Sequence, residues 1–452
     1  MKQLGEAVAR YHKILEADSI RNSGWMSQLR EQMESQQLVV NGRPVSPVLR
    51  PHFLSRRQYT NLMKTSEALN SAIERVRGLA LAQPALMSRM EMLPAEKMLA
   101  SVDPVYSAAA VASLLDTQVN NGSMHMTGSQ ADLAAGVIYG ELLSSTYYDA
   151  APVKEFRKRY KLSKTGGSKP LVSAMLKAWK EFGGKTQPRI AIVEFRQVFQ
   201  TIDTHESLLL MELLQRQGYP TVISSPDQLE YKNGVLRCGD FEIDLVYRNL
   251  RAHEFLMRFD LMHPLVRAYR ERRVCVVNSF RTELTRKRAL LALLTDASIT
   301  GSFPAVERKA IRDSIPWTRV VAQGKSTDPK GNAIDLFEYI TANRANLVLM
   351  PNDGVSEDLA TWEGARTDES TWERALRTAV RHSYVVQEQV EEHPLTFPVD
   401  VYGDMVYRDL NVEVQPRSFL GKVNGCSARI LSAAGSFSSI SGFVPMFILE
   451  SK

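Results

Sequence analysis

The sequence lacks the features that assign a chain to several common classes of protein. Its 452 residues contain no apolar run close to the roughly 20 residues that a membrane span needs. The first residues mix charged and apolar side chains, so we expect no secretory signal and a cytoplasmic location. The three cysteines, Cys238, Cys275 and Cys426, show no CxxC spacing and are interpreted as buried free thiols.

Familiar catalytic motifs are also missing. The sequence has no Walker-type loop, no nucleophile elbow and no zinc-ligand spacing, and its eight histidines form no constellation. His125 lies in an apolar run, which is typical of a core histidine. Asp203 and His205 flank Thr204, a good helix N-cap, so capping explains them without catalysis.

The charge is balanced and not concentrated. The chain has 56 basic and 50 acidic residues, a net charge of +6, and a pI near 9.0. The two basic stretches, residues 267–273 and 281–288, each include a glutamate, which favours a solvated helix face. Nucleic acid is therefore an unlikely partner, and a nucleotide phosphate matches such stretches better than a duplex does.

Two kinds of pattern divide the chain. Up to residue 180, apolar residues recur at helical spacing over residues 4–38 and 59–90. From residue 189, short β-rich runs alternate with helices, which predicts a Rossmann-like parallel sheet. The predicted elements are strands over 190–195, 221–223, 241–247, 274–277, 347–349 and 384–389, a hairpin turn at Asn233-Gly234, and helices over 206–217, 284–294 and 369–381.

The fold class that follows is α/β. We expect a helical N-terminal region over residues 1–100 and linking helices with the first part of a divided domain over 101–185. A Rossmann-like domain should follow over 186–282, and the rest of the divided domain over 283–452. The β-rich sequence after residue 389 belongs to this last part, and there is no internal repeat.

Four short stretches together resemble the circularly permuted ATP-grasp ligases, the family of glutathionylspermidine synthase and, more distantly, glutathione synthetase. They are residues 243–248 (IDLVYR), 278–280 (NSF) with Lys287 beyond, 347–354 (LVLMPNDG) and 384–388 (YVVQE). Ala428-Arg429 and residues 442–445 (GFVP) resemble the family's terminal strands. The order of these stretches carries the resemblance over roughly residues 100–450.

The resemblance implies a chemistry and a set of site residues. ATP phosphorylates a carboxylate, an amine attacks the acylphosphate, and Mg²⁺ is held between the phosphates. The partners would be a nucleotide and a small-molecule or peptide carboxylate and amine, with a protein partner as a further possibility and no membrane. The implied catalytic residues are Arg429 and Arg248, the implied nucleotide-binding residues are Lys287, Met350, Gln387, Glu388, Asn352 and Asp353, and the implied metal ligands are Asp116, Gln130 and Glu413.

Several family positions hold residues that cannot perform the family's chemistry. The Arg-x-Asp pair aligns with Leu114 and Asp116, and the Glu-x-Asn metal motif aligns with Gly128 and Gln130. Met350 replaces the strand lysine that touches the phosphates. The loop over residues 355–360 lacks paired glycines and carries Glu357 and Asp358, which would repel phosphate. Metal binding, phosphate binding and catalysis are each expected to be weakened.

Simpler interpretations remain open at each position. Gln387 and Glu388 fit an alternating strand, and Lys287 between Arg286 and Arg288 fits a solvent-facing helix.

Arg248 and Arg429 end apolar strands, where an ion pair would give the same pattern, and Glu413 fits the polar position of a strand. The leading hypothesis is a ligase-like protein with reduced or lost turnover, with Lys287, Gln387 and Glu388 facing one cleft. The alternatives are an inactive pseudoenzyme that uses the cleft for binding or regulation and, less favoured, a basic nucleic-acid-binding protein.

Overall fold

A computed structural model of the chain describes residues 2–108, 110–120, 123–131, 136–196, 202–353, 359–432 and 440–450. In these ranges, no helix is both long enough and apolar enough to span a bilayer. The α/β class predicted from the sequence is confirmed, because helices and strands are mixed along the chain.

The helices begin with a long N-terminal set. They are α1 (Lys2–Glu16), α2 (Asp18–Arg21), α3 (Trp25–Ser35), α4 (Arg56–Ala82), α5 (Pro84–Ser88), α6 (Pro94–Ser101), α7 (Val137–Asp149), α8 (Ala151–Arg157), α9 (Lys169–Phe182), α10 (Ile202–Arg216), α11 (Ala252–Arg258), α12 (Pro264–Arg270), α13 (Glu283–Arg286), α14 (Ala289–Leu294), α15 (Ala297–Thr300), α16 (Ala305–Ser314), α17 (Leu336–Ala342) and α18 (Glu369–Arg381).

The strands belong to seven sheets. In chain order they are β1 (Val39–Val40), β2 (Arg43–Pro44), β3 (His52–Ser55), β4 (Ala112–Asn120), β5 (Ser123–Gln130), β6 (Leu162–Lys164), β7 (Ile190–Val193), β8 (Thr221–Ser224), β9 (Leu229–Lys232), β10 (Val235–Cys238), β11 (Phe241–Ile243), β12 (Leu245–Arg248), β13 (Cys275–Val277), β14 (Thr318–Val320), β15 (Lys325–Thr327), β16 (Ala333–Asp335), β17 (Leu347–Pro351), β18 (Trp362–Glu363), β19 (Tyr384–Glu388), β20 (Leu395–Val401), β21 (Asp404–Phe419), β22 (Lys422–Ser432), β23 (Ser441–Val444) and β24 (Met446–Leu449).

The predicted Rossmann-like parallel sheet is present, with strand order β13-β12-β7-β8. All four residues of β7 are buried, and alternate residues enter different cores: Ile190 and Ile192 pack with α10, whereas Ala191 and Val193 pack with α12. A strand covered on both faces must be apolar throughout, which explains the continuous apolar run in the sequence.

The largest sheet is antiparallel and joins two distant parts of the sequence. Its order is β23-β22-β21-β4-β5, and β20 pairs with the other side of β21. Because successive side chains of a strand point to opposite sides, the sheet has two different faces. Apolar residues such as Val414 and Ile430 pack against α4 and α16, whereas the opposite face carries polar side chains. We call these the helix face and the polar face.

A smaller antiparallel sheet has the order β14-β19-β17-β18. Leu349 and Val386 pair across β17 and β19 and pack with Trp372 and Leu376 of α18. Asp368 begins α18 by accepting a hydrogen bond from the Thr371 backbone N–H. A further sheet, β3-β24-β6, pairs the N-terminal strand β3 in parallel with β24, near the end of the chain.

Two expectations about local structure were wrong. Residues 112–130, in the part expected to be helical, form the central strand β4 and the edge strand β5 of the large sheet. The helix predicted over residues 284–294 is broken at Lys287, whose backbone is extended with ψ 133°. Asn352 stabilises the break, because its side-chain oxygen accepts from Ala289 N and its carbonyl accepts from Arg288 N.

Candidate functional site

The polar face of the large sheet brings together residues from β4, β5 and β21. Gln130 Nε2 donates to both carboxylate oxygens of Asp116, at 2.9 and 3.2 Å. Gln415 Nε2 donates to Asp116 Oδ1 at 2.9 Å and lies 3.4 Å from Glu413 Oε2. The structure therefore gathers all three sequence-implied metal ligands around Gln415, and we call Asp116 and Glu413 the carboxylate pair.

The two carboxylates are in an electrostatic environment that disfavours two negative charges. Burial and then the charge of Asp116 raise the pKa of Glu413 to about 8, against the opposing charge of Arg429. Burial also raises the pKa of Asp116, against the hydrogen bonds from the two glutamines. Nearby like charges in a desolvated site favour a shared proton or a bound cation.

Two arginines lie next to the carboxylate pair. Arg429 is opposite Glu413 in the ladder between β21 and β22, and its guanidinium lies 5.1 Å from the Phe443 ring centroid. Arg288 is half-buried and donates to the Pro351 carbonyl at 2.8 Å. Burial lowers the pKa of Arg288, while the charge of Asp116 raises it. Arg429, implied as catalytic by the resemblance, is therefore beside the pair.

Gly128 lies directly opposite Asp116 in the pairing of β4 with β5. A Cβ atom at residue 128 would lie 3.0 Å from Asp116 Oδ2. A longer side chain at this position would extend beside the carboxylate pair, and glycine supplies no ligand there. That the family has glutamate at this position stays a prediction from the sequence resemblance.

Lys287 lies in a second ionic cluster, where α6, α11 and the end of β17 meet. Its side chain is completely buried, its Nζ lies 2.8 Å from Glu96, and it forms a short ion pair with Asp353. His253 Nδ1 is 3.7 Å from Glu96 and 3.9 Å from Asp353. We call these four residues the lysine cluster.

The charges in the lysine cluster stabilise one another. Burial raises the pKa of Glu96, but His253 and Lys287 outweigh that effect and lower it to about 2. The same contact with Glu96 raises the pKa of His253. Lys287 is therefore engaged by two carboxylates of its own chain, and it is not the solvent-facing lysine that its flanking arginines suggested.

Arg248 is also buried. It donates to the carbonyl oxygens of Asn278 and Leu250 at 2.9 and 2.7 Å and pairs with Glu283 at 3.2 Å. Its guanidinium lies 4.9 Å from the Phe280 ring centroid. These contacts join the Rossmann-like sheet to α13, so the structure places Arg248 in an ion pair within the chain and not beside Arg429.

The small sheet does not turn Gln387 and Glu388 to the same side. Gln387 is buried on the face away from α18, where its Nε2 donates to Thr318 Oγ1 at 2.8 Å. Met350 lies on that same face, opposite Val385. Glu388 points the other way and accepts from Trp317 N at 3.2 Å. The structure therefore does not place Lys287, Gln387 and Glu388 in one cleft, as the sequence had led us to expect.

A cavity of about 670 Å³ separates the segment after β19 from the large sheet. The side chains in its wall include two histidines and several charged or amide groups: His125, Arg312, Asp313, Glu388, Gln389 and His393. We call it the hinge cavity. His125 lines it, because the neighbouring Met124 and Met126 point into the core on the helix face. The sequence had suggested a core position for His125.

Sequence reasoning missed Gln415, Arg288 and Glu96. Gln415 was detectable, because it lies two residues after Glu413 and alternation places both on one face of a strand. Glu96 carried no such signal, since it is 191 residues from Lys287. The loop residues Glu357 and Asp358 lie outside the described residues.

No protein-family model matches the sequence, and no curated protein matches it. A solved glutathione synthetase-like effector from Globodera pallida is similar in structure, with a TM-score of 0.62, 12% identity and coverage of 97% of this chain and 99% of that chain.

A gamma-glutamylcysteine synthetase-like protein from Methylobacillus flagellatus aligns with a TM-score of 0.41, 11% identity and 86% coverage of each chain. A RimK domain ATP-grasp protein from Sphaerobacter thermophilus aligns at 0.28, with 16% identity, 57% of this chain and 89% of that chain. These two similarities are too low to support an argument. The first covers nearly the whole of both chains, and it shows that this chain shares the fold of that glutathione synthetase-like effector.

Proposed function

We propose that this chain is an ATP-grasp ligase-like protein that binds a divalent cation and a nucleotide, with amide formation reduced or lost. The single observation that carries the proposal is the carboxylate pair, which is assembled with Gln130 and Gln415 on one face of the large sheet; the position of Lys287 is the reason to expect reduced turnover. The lysine that the resemblance assigns to the phosphates is buried between Glu96 and Asp353, while the carboxylate pair remains assembled.

The residues of the polar face fit a magnesium ion. Mg²⁺ prefers oxygen ligands and usually takes one or two carboxylates from a protein. The carboxylate oxygens of Asp116 and Glu413 would hold it, and the side-chain oxygen of Gln130 would join them if the amide that now donates to Asp116 turned over. The charge of the ion would offset the burial and the repulsion from Asp116 that together raise the pKa of Glu413 to about 8. When bound, such an ion neutralises charge that develops on phosphate oxygens.

The residues expected to bind the phosphates fit them poorly. Met350 carries no charge, and the buried Lys287 would have to leave two carboxylates to reach a ligand. Removing one partner from a buried ion pair costs about 3–5 kcal/mol. That cost supports weak phosphate binding and slow or absent phosphoryl transfer.

The hinge cavity is the proposed site for the nucleotide base. It is lined by His125 of β5, three residues before Gly128, and by Glu388 at the end of β19, the strand that the resemblance implies to carry the adenine-binding hinge. Its volume of about 670 Å³ is within the range of small-molecule sites. The ring of His125 or His393 offers a surface on which a base can stack.

The strand order supports a circularly permuted arrangement. The large sheet takes β4 and β5 from residues 112–130 and its other strands from residues 395–444, with the Rossmann-like and small sheets between them in sequence. If turnover survives, the substrates would be a small-molecule or peptide carboxylate and an amine.

A pseudoenzyme that uses the cleft for binding or regulation is the second candidate, and the lysine cluster favours it. Calorimetric titration with Mg²⁺ and then with ATP separates the two. Metal-dependent ATP binding supports a ligase-like cleft. Mg²⁺ binding with no ATP binding supports the pseudoenzyme.

The resemblance implies a lysine at the position of Met350, and restoring that charge provides a sharper test. Met350→Lys should strengthen ATP binding in the presence of Mg²⁺, because it adds a cation on the face of the small sheet where Gln387 lies. Met257→Lys is the matched control, since Met257 is 73% exposed on α11 and its substitution adds the same net charge. Equal effects of the two substitutions would refute the placement of the phosphates beside Met350.

A further inference from the structure

A second cavity, of about 200 Å³, lies on the helix face of the large sheet. Strands β4, β5 and β21 form its floor, and α4 and α13 form its walls. Its polar lining consists of five hydroxyl groups, one amide and one carboxylate, from Ser107, Ser113, Ser129, Ser418, Thr285, Asn70 and Glu74. The Ser107 hydroxyl already donates to Glu181 outside the cavity. We call it the hydroxyl cavity.

Strand alternation separates the hydroxyl cavity from the carboxylate pair. Ser113 pairs with Ser418 across β4 and β21, and Leu115, on the same face as Ser113, points into the core under α4. Asp116 points to the polar face. The hydroxyl cavity is therefore a site distinct from the proposed nucleotide cleft, on the other side of the same strands.

Hydrogen bonds within the protein already use the Thr285 and Asn70 donors of the cavity, so mainly acceptor atoms remain for a ligand. Thr285 Oγ1 donates its hydrogen to the Thr282 carbonyl at 2.8 Å, so its lone pairs remain. Asn70 Nδ2 donates to Ser418 Oγ, which leaves the Asn70 side-chain oxygen for a ligand. Ser113 and Ser129 have no side-chain hydrogen bond to the described part of the chain, and each can donate or accept.

The fixed charge of the cavity is negative. Glu74 lies at its rim and pairs with Arg77 at 3.1 Å, one turn further along α4. Burial raises the pKa of Glu74 despite Arg77, which indicates a carboxylate that is incompletely compensated. No basic side chain is among the described residues that line the cavity, so an anionic ligand would meet only repulsion.

We propose that the hydroxyl cavity binds a small primary amine as its ammonium ion. An ammonium group supplies three donors, which matches Glu74, Asn70 and Thr285, and the walls formed by Ile73 and Leu420 accept a short alkyl chain. At about 30 Å³ per water molecule, the cavity holds a ligand of roughly four to eight heavy atoms.

The probe is ethanolamine, with ethylene glycol and glycolate as neutral and anionic analogues of the same size. We expect ligand-observed NMR to detect ethanolamine binding at neutral pH and to show weaker or no binding of the two analogues. Glu74→Gln should weaken ethanolamine binding roughly tenfold, because it removes the carboxylate charge. Ser129→Val should also weaken binding, since it removes a hydroxyl group and fills the cavity.

The matched control is Ser427→Ala, which removes a buried serine hydroxyl from the polar face of the same sheet. It should leave ethanolamine binding unchanged. The proposal is overturned if ethanolamine fails to bind to the folded protein, if ethylene glycol binds equally well, or if Glu74→Gln has no effect. Mg²⁺ and ATP binding do not enter this test, so its outcome is independent of the function proposed for the cleft.

Discussion

Replacing Glu413 by glutamine should change how the stability of the protein depends on pH. The folded state holds the pKa of Glu413 at about 8, well above its ordinary value of 4.5. A carboxyl whose pKa rises on folding stabilises the protein fully below the unfolded pKa, and this contribution is lost as pH rises from 4.5 to 8. At about 1.4 kcal/mol per pKa unit, the loss is at most about 5 kcal/mol.

Glutamine has the shape of the protonated carboxyl but does not titrate. The variant should therefore match the native protein near pH 4.5 and be more stable by a few kcal/mol at pH 8.5. Urea unfolding at a series of pH values measures the difference between the two curves. Glu34→Gln, at an exposed position on α3, is the control and should give no such difference. Parallel curves for the native protein and Glu413→Gln from pH 5 to 8.5 would refute the reasoning.

Three further substitutions test other buried groups. Lys287→Met should destabilise the fold by about 3–5 kcal/mol in urea unfolding, because it removes the buried cation that Glu96 and Asp353 share. The exposed Lys309→Met should change the free energy of unfolding by less than about 1 kcal/mol. Burial lowers the pKa of His52 to about 3. The contribution of this histidine to stability is therefore present above pH 6.5 and falls by roughly 2–3 kcal/mol between pH 6.5 and 4.5. His52→Gln should remove this decrease in the free energy of unfolding. Glu206→Gln should lower the melting temperature through a loss of about 1–2 kcal/mol, since the carboxylate accepts from three backbone N–H groups at the start of α7.

Much of the fold was predictable because its signals are local. The Asn233-Gly234 turn adopts positive φ at both residues, as the dipeptide predicts. The helix over residues 369–381 was predicted with its exact bounds, because its apolar spacing is regular and Asp368 caps it. The fold itself was predictable from the order of four weak stretches.

Other features depend on partners that are distant in sequence. The strands β4 and β5 were missed because only one of their faces is apolar and few of their residues are β-branched. The break at Lys287 depends on Asn352, and the burial of Lys287 depends on Glu96, neither of which a local pattern reveals. For the candidate site, residue types indicated Asp116, Gln130 and Glu413, whereas the orientation of Gln387 and Glu388 depended on which face of the small sheet α18 covers.

The parallel pairing of β3 with β24 has a consequence for biosynthesis. Residues 52–55 have no strand partner on that edge until residues 446–449 have left the ribosome. The apolar residues of α4 pack against strands from the last part of the sequence, so they stay uncovered until those strands have been synthesised. We expect a pairing between strands this far apart in sequence to form late and to slow folding.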